Sequence, residues 1–253
     1  MTGDYHILAP IYNQIGMGNF AREITPALIE FAQQNDWLGR HILDLGCGTG
    51  DALIWLAKHN YRVTALDNSQ AMLNEAKTGL TTQGLDTRLI EMDIREIDRE
   101  QIGSGDLVLA LDVINEMRSV REIEAVLENI HQMLEPGKWC IFDMHTLEGL
   151  SRRGGNPASI IYDDPEQLTV LQSNHNNYEH HEYTAEYLIF RREDGHWRRY
   201  LARRVLRTIP VQAMQKLLQR KGFALKFMLN TNLQPIDTVS VGTERIILIA
   251  TKS

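Results

Sequence analysis

The chain has 253 residues, 43% of them hydrophobic and 23% charged, enough apolar material for a sizeable buried core, which excludes a disordered or low-complexity chain. Its 33 acidic residues outweigh 26 Lys and Arg, a formal charge of -7, so broad attraction to nucleic acid or an anionic membrane is disfavoured and a small-molecule partner is expected. Two cysteines, Cys47 and Cys140, are too few for a disulfide framework and suit a reducing cytosol; with no apolar run near the ~20 residues of a membrane span, the expectation is a cytoplasmic protein.

In chain order, residues 5 to 36 read as one or two helices, so 1–39 forms a helical cap. From Arg40 short apolar runs alternate with amphipathic stretches, the pattern of a parallel sheet wrapped by helices. Strands are predicted at 41–45, 62–66, 88–92, 106–111 and 139–144, and helices near 51–59, 69–78 and 119–134. Glu135-Pro136-Gly137 turns the last helix into its strand. After Met144 the period changes to strand-like alternation over 159–207, with a turn at Arg192-Glu193-Asp194-Gly195, so 146–207 reads as an antiparallel insertion. The α/β pattern resumes over 208–253 with a helix from Pro210 to Lys221, stopped by Gly222, and strands at 223–229 and 244–250. The core is therefore assigned to 40–145 and 208–253.

The first strand runs into Asp44-Leu45-Gly46-Cys47-Gly48-Thr49-Gly50, and a helix begins at Asp51. Alternate glycines let the backbone turn tightly and approach a ligand. A dinucleotide turn has its third glycine one position later and places no acid where Asp51 stands. A ligand bearing an ammonium and a sulfonium instead suits Asp44, and S-adenosylmethionine has those groups. Asp67, 21 residues after Gly46 at the second strand end, is placed to accept ribose hydroxyls. Asp93, after the third strand, is placed to accept from an adenine amino group flanked by Met92 and Ile94. Taken singly, Asp67 also reads as a helix cap and Asp93 as a loop solubiliser.

Together with Leu134-Glu135-Pro136-Gly137, these segments resemble class I S-adenosylmethionine-dependent methyltransferases across 40–145. Tyr5-His6-Ile7-Leu8-Ala9-Pro10-Ile11-Tyr12 resembles the opening of small-molecule members. Asp112-Val113-Ile114-Asn115, Phe142-Asp143-Met144-His145 and Glu244-Arg245-Ile246 look like a bacterial subgroup with a lid after the fifth strand. The resemblance implies a Rossmann-like, seven-stranded sheet with helices on both faces and the antiparallel insertion as substrate lid. It implies S-adenosylmethionine as cofactor, with Asp44 and Gly46 near its methionine part, Asp67 on the ribose and Asp93, flanked by Met92 and Ile94, at the adenine, and with Cys47, Gly48, Gly50 and Asn68 also among the cofactor-binding residues. Leu111 and Asp112 are expected beside the methionine amino group, with Met72 and a covering Tyr12 completing the surround. Asp112 with Val113 departs from the usual small polar pairing at the fourth strand end, which leaves contacts at Val113 and Glu116 open.

Transfer from a sulfonium needs alignment rather than a nucleophilic side chain. For a hydroxyl or protonated amine acceptor a base is required, and His145, at the lid entrance, is the catalytic candidate; its alternative role is to order the strand end. Asn115, His145 and Tyr183 are the substrate candidates, Tyr183 sharing a face with Ala185, Tyr187 and Ile189. No metal site is expected: His175, His180, His181 and His196 crowd the insertion, but His180 and His181 would point to opposite faces of a strand. Arg191, Arg192, Arg198, Arg199, Arg203, Arg204 and Arg207 read either as recognition of an acidic substrate or, more simply, as a solvated ribbon paired with Glu182, Glu186, Glu193 and Asp194. No Asn-Pro-Pro-aromatic segment follows the fourth strand, which disfavours nucleic-acid bases. The expected activity is methyl transfer to oxygen or nitrogen of a small-molecule acceptor, with RNA or protein methylation, NAD-dependent oxidoreduction and non-catalytic cofactor binding as rivals. The oligomeric state stays open, a homodimer being one option.

Overall fold

The computed structural model describes residues 3–154 and 158–253. The chain opens with α1 (Tyr5–Leu8), a 3-10 turn (Ala9–Ile11) and α2 (Asn19–Gln34). Then follow β1 (His41–Leu45), α3 (Asp51–Lys58), β2 (Arg62–Asp67), α4 (Gln70–Thr82), β3 (Arg88–Glu91), α5 (Arg99–Ile102) and β4 (Gly105–Ala110). A 3-10 turn (Ile114–Glu116), α6 (Val120–Met133), β5 (Leu134–His145) and α7 (Leu147–Arg153) lead into β6 (Ser159–Asp164), β7 (Leu168–Asn177), β8 (Glu182–Glu193) and β9 (His196–Arg207). The chain closes with α8 (Val211–Arg220), β10 (Phe223–Leu229) and β11 (Arg245–Lys252).

Seven strands form one sheet in the order β10-β11-β5-β4-β1-β2-β3, and β6-β7-β8-β9 form a second. β1 to β5 pair in parallel, while β11 runs antiparallel to both β5 and β10. Side-chain alternation explains why helices cover both faces. On β5, Cys140, Phe142 and Met144 join the core under α6 and α8, whereas Ile141 joins the core shared with α2 and α3. The same parity sends Asp143 and His145 to the α2 side.

Glu135-Pro136-Gly137 behaves as a looped-out segment at the start of β5: Gly105 pairs with Leu134, but Leu107 pairs with Trp139. Two short helices, α5 and α7, fall where no periodicity could signal them; each starts on a side-chain cap, Asp98 and Thr146 respectively. α4 runs four residues beyond the expected 78. In the second sheet, Asp194 and Gly195 both have positive φ, 51° and 81°, the type I′ geometry that suits the twist of two strands joined by two residues. The inner face of this sheet buries Tyr183, Ala185, Tyr187, Ile189, Ala202 and Leu206 against Tyr5, Leu8, Ala9, Ile11 and Met72. The insertion is thereby packed on the N-terminal elements and α4 rather than standing apart. No helix among the described residues is long and apolar enough to cross a membrane.

Candidate active site

The carboxyl ends of the parallel strands gather two groups of acids. The first surrounds the turn after β1. Gly46 and Cys47 donate their N–H groups to the Leu66 carbonyl at 2.7 and 2.9 Å, which draws the turn against β2. Gly46 has φ +72° and a side chain there would strike Val113 at 2.6 Å; Gly48 has φ +55° and nothing within 4 Å of the place its side chain would occupy. Gly46 thus answers a packing need, and Gly48 keeps an open flank where a ligand can approach the backbone. Thr49 Oγ1 lies 2.9 Å from both Asn13 Oδ1 and Asp51 Oδ2, with its one proton for either, bringing the segment after Tyr12 onto the turn.

Asp44 lies buried on the α2 side of β1, and its Oδ2 has no hydrogen-bond partner among the described residues. Burial, reinforced by the charge of Asp67, pushes its carboxyl up to about 7. Asp67 is also buried; its two oxygens accept from the Gly48 and Ser69 N–H groups, both at 2.9 Å. Burial still raises it to about 6 against those amides. The cap of α4 is Ser69, which accepts from the Met72 amide at 3.4 Å, so Asp67 braces the glycine turn and is not itself the cap. Two buried carboxylates with no ion-pair partner among the described residues fit a ligand that carries an ammonium and ribose hydroxyls; a diphosphate there would meet like charge.

The remaining expected cofactor residues differ in how free they are. Asn68 is half-buried beside Asp67, and Cys47 is half-buried with its thiol raised well above its usual range by burial. Gly50, at φ +86°, packs on Ala76. Met92 is half-buried and its amide donates to the Asp67 carbonyl at 3.0 Å, while Ile94 and Leu111 are core residues. Met72 is buried in the cluster that joins α4 to the insertion. Tyr12 lies 6.4 Å from Tyr5, ring to ring, and burial raises its phenol. Asp93 is engaged: Arg95 donates to both its oxygens at 2.5 to 2.9 Å and reaches Glu122 at 2.7 Å. Those hydrogen bonds hold the Asp93 carboxyl down at about 2, so an adenine amino group would share this carboxylate with Arg95.

The second group of acids, at the ends of β4 and β5, is saturated with arginine. Asp112 has φ +61°, a left-handed conformation that an aspartate tolerates better than most residues. Its N–H donates to Asp143 Oδ1 at 2.6 Å, and its carboxylate pairs with Arg204 from β9 at 2.8 Å and with Arg245 from β11. Arg204 Nε donates to Glu116 at 2.7 Å, and Tyr5 donates to the same Glu116 oxygen at 2.5 Å. Burial opposes ionisation of Asp112, but Arg204 and Arg245 overcome it and hold the carboxyl well below its usual range. Arg245 Nε lies 3.0 Å from Asp143 Oδ2 without hydrogen-bond alignment, and burial lifts Asp143 to about 6. Asp112 is therefore engaged with two guanidinium groups, and a methionine amino group would have to compete with both.

His145 stands inside this network and not at an open entrance. It is 1% exposed. Its Nε2 accepts from Arg245 at 2.8 Å, which in the neutral ring leaves the proton on Nδ1. Burial lowers it to about 4, so it is neutral at pH 7 and a poor proton acceptor. This surround favours the alternative role, ordering the strand end, over that of a catalytic base. Asn115 is consumed similarly. Its Oδ1 accepts from the His145 N–H at 2.7 Å and its Nδ2 donates to the Arg207 carbonyl at 2.7 Å, stapling β5 to β9. Tyr183 is buried on the inner face of the insertion and donates to Asn174 at 2.7 Å.

Two expectations for the insertion change. His180 and His181 sit in the turn between β7 and β8, His181 at φ +49°, and not on a strand. No cluster of three metal-ligating side chains occurs among the described residues. Most of the arginines are paired on the surface, with Glu193 for Arg191 and Arg198, Glu166 for Arg192, Glu186 for Arg203 and Glu182 for Arg207. Arg204 is the one that is buried. Its place between Ala202 and Leu206 on the buried parity of β9 is a signal the sequence carries, hidden by the surrounding run of arginines.

Residues 42–137 match the methyltransferase domain family. The chain is 24% identical over 214 residues to YqeM of Bacillus subtilis (strain 168), a methyltransferase by name, covering 84% of each chain. Its fold superposes on an S-adenosylmethionine-dependent methyltransferase from Clostridium acetobutylicum ATCC 824 with a TM-score of 0.82 at 24% identity, over 98% of each chain. It also superposes on the sugar N-methyltransferase KedS8 from Streptoalloteichus sp ATCC 53650 with a TM-score of 0.74 at 18% identity, over 94% of this chain and 92% of that one.

Proposed function

We propose that this class I S-adenosylmethionine-dependent methyltransferase methylates an oxygen or nitrogen of a small-molecule acceptor enclosed between the strand ends and the β6–β9 insertion, which serves as substrate lid. The buried, cation-free Asp44 carboxylate carries the cofactor side of this reading. Asp44 would hold the amino group, Asp67 the ribose hydroxyls, Gly46 to Gly50 the backbone flank, Met92 and Ile94 the adenine faces, with Tyr12 above. When bound, S-adenosylmethionine supplies a methyl group already activated by its sulfonium. The chain's own task is then to hold the acceptor in line and to exclude water.

The acceptor side rests on closure. The inner face of the insertion, with Tyr183 and Tyr187, packs down on Tyr5 and Ile11, and Arg204 reaches from it to Asp112 and Glu116. A site covered in this way suits a small molecule better than a polymer strand, and the fold's likeness to a sugar N-methyltransferase over 94% of this chain supports the same class. His145, Asn115 and Arg245 keep the floor of the site rigid. The test is transfer of labelled methyl from S-adenosylmethionine into a cell extract separated by mass. Label in the low-mass fraction is expected, and label confined to RNA or protein would overturn the small-molecule reading.

A further inference from the structure

Between the start of α2, the end of α7 and the loop that joins β10 to β11 lies an open recess of about 680 Å³, within the size range of small-molecule sites. Arg245 lines it and is only 9% exposed. Its Nη2 donates to Asp112 and His145, its Nε faces Asp143, and its Cζ lies 3.6 Å from the centre of the Phe20 ring. The guanidinium is thereby fixed, yet its Nη1 protons have no acceptor among the described residues. Arg153, the last residue of α7, lines the same recess and makes no hydrogen bond or ion pair among the described residues. Glu23, on α2, also lines it and has no ion-pair partner there, whereas the other acid of the recess, Glu244, pairs with Arg152 at 3.5 Å. An unpaired base and an unpaired acid thus share one recess without pairing with each other.

We propose that this recess anchors the acceptor and that the acceptor is a zwitterion, its anionic group, a carboxylate or phosphate, held by Arg153 and Arg245 Nη1, and its ammonium set against Glu23. The inference rests on the small-molecule reading above and names the class of molecule. Guanidinium N–H groups from two side chains match the oxygens of one oxyanion through charge-assisted hydrogen bonds. A ligand with a single charge would leave either Glu23 or Arg153 without a partner, so the recess discriminates against it. Arg245 joins the recess to Asp112, the residue expected beside the methionine part of the cofactor. A molecule anchored on these charges therefore extends toward the methyl group, and the anchoring groups are distinct from the atom that is methylated.

The test is calorimetric titration of the protein saturated with S-adenosylhomocysteine, using glycine, β-alanine, γ-aminobutyrate and phosphoethanolamine, each to about 10 mM, with butyrate and butylamine as single-charge controls. At least one zwitterion is expected to bind and neither control, and phosphoethanolamine against the amino acids tells phosphate from carboxylate. Arg153→Gln and Glu23→Gln, both at exposed positions, should each weaken that binding about tenfold, with S-adenosylhomocysteine affinity and the circular dichroism spectrum unchanged. No zwitterion binding, a control that binds as tightly, or binding indifferent to either substitution would overturn the proposal. The labelled-methyl assay keeps the two readings apart: low-mass label without zwitterion binding overturns this proposal alone, and label confined to RNA or protein overturns the small-molecule reading with it.

Discussion

Two groups of carboxylates lie a few strands apart at the same end of one sheet, and they are treated in opposite ways. Around β1 and β2, Asp44 and Asp67 are buried with no ion-pair partner among the described residues, and burial drives their carboxyls up to about 7 and about 6. Around β4 and β5, Asp112 is half-buried, and Arg204 and Arg245 hold it well below its usual range. A buried acid without a partner costs stability in the empty protein and is retained where a ligand completes it; a buried acid with two guanidinium partners is framework. Under the proposed function, the difference separates the part of the site that would bind the ligand from the part that holds the insertion, the β4 loop and β5 in register.

The sharpest way to break this distinction is Arg204→Met, which leaves Asp112 and Glu116 short of a buried partner. It should cost about 3–5 kcal/mol and lower Tm by roughly 10 °C, read by thermal unfolding. Retention of full stability would mean that the arginine network is not framework. Asp44→Asn should act in the opposite direction on stability. The folded-state carboxyl titrates near 7 against an ordinary value near 4, so folding favours the protonated form, and ionisation destabilises the empty protein progressively as pH rises from 4 to 7. The variant should therefore be about 4 kcal/mol more stable than wild type at pH 8 and no different at pH 4.

The same substitution should weaken S-adenosylhomocysteine binding about 100-fold, ~2.7 kcal/mol, and remove a rise in affinity between pH 6 and 8. Calorimetric titration at three pH values checks it; a variant that binds as tightly as wild type would detach Asp44 from the cofactor. The smallest effect is expected for Asp67→Ala, about tenfold in affinity, ~1.5 kcal/mol. Because Ser69 supplies the α4 cap, Tm should change little. A large fall in Tm with constant affinity would return Asp67 to a purely structural role.

By itself the sequence determined the parallel sheet, the glycine turn, the strand-end acids and the insertion with its Asp194-Gly195 hairpin, because each depends on short-range periodicity or on backbone conformations that few residues adopt. It also separated the buried parity of β8, Tyr183 to Ile189, from the outer one. What only the tertiary structure decided is the state of each charged group. Asp44 and Asp112 are alike as letters at the ends of neighbouring strands, yet the partners that distinguish them come from Arg204, 92 positions from Asp112, and Arg245, 133 positions away. His145 is a promising base as a residue type and position, and becomes a buried neutral ring only when Arg245 arrives on the antiparallel strand beside it. Burial and long-range ion pairing set protonation and availability, and neither is carried by local spacing, so the chemistry of these residues appears only once distant strands are brought side by side.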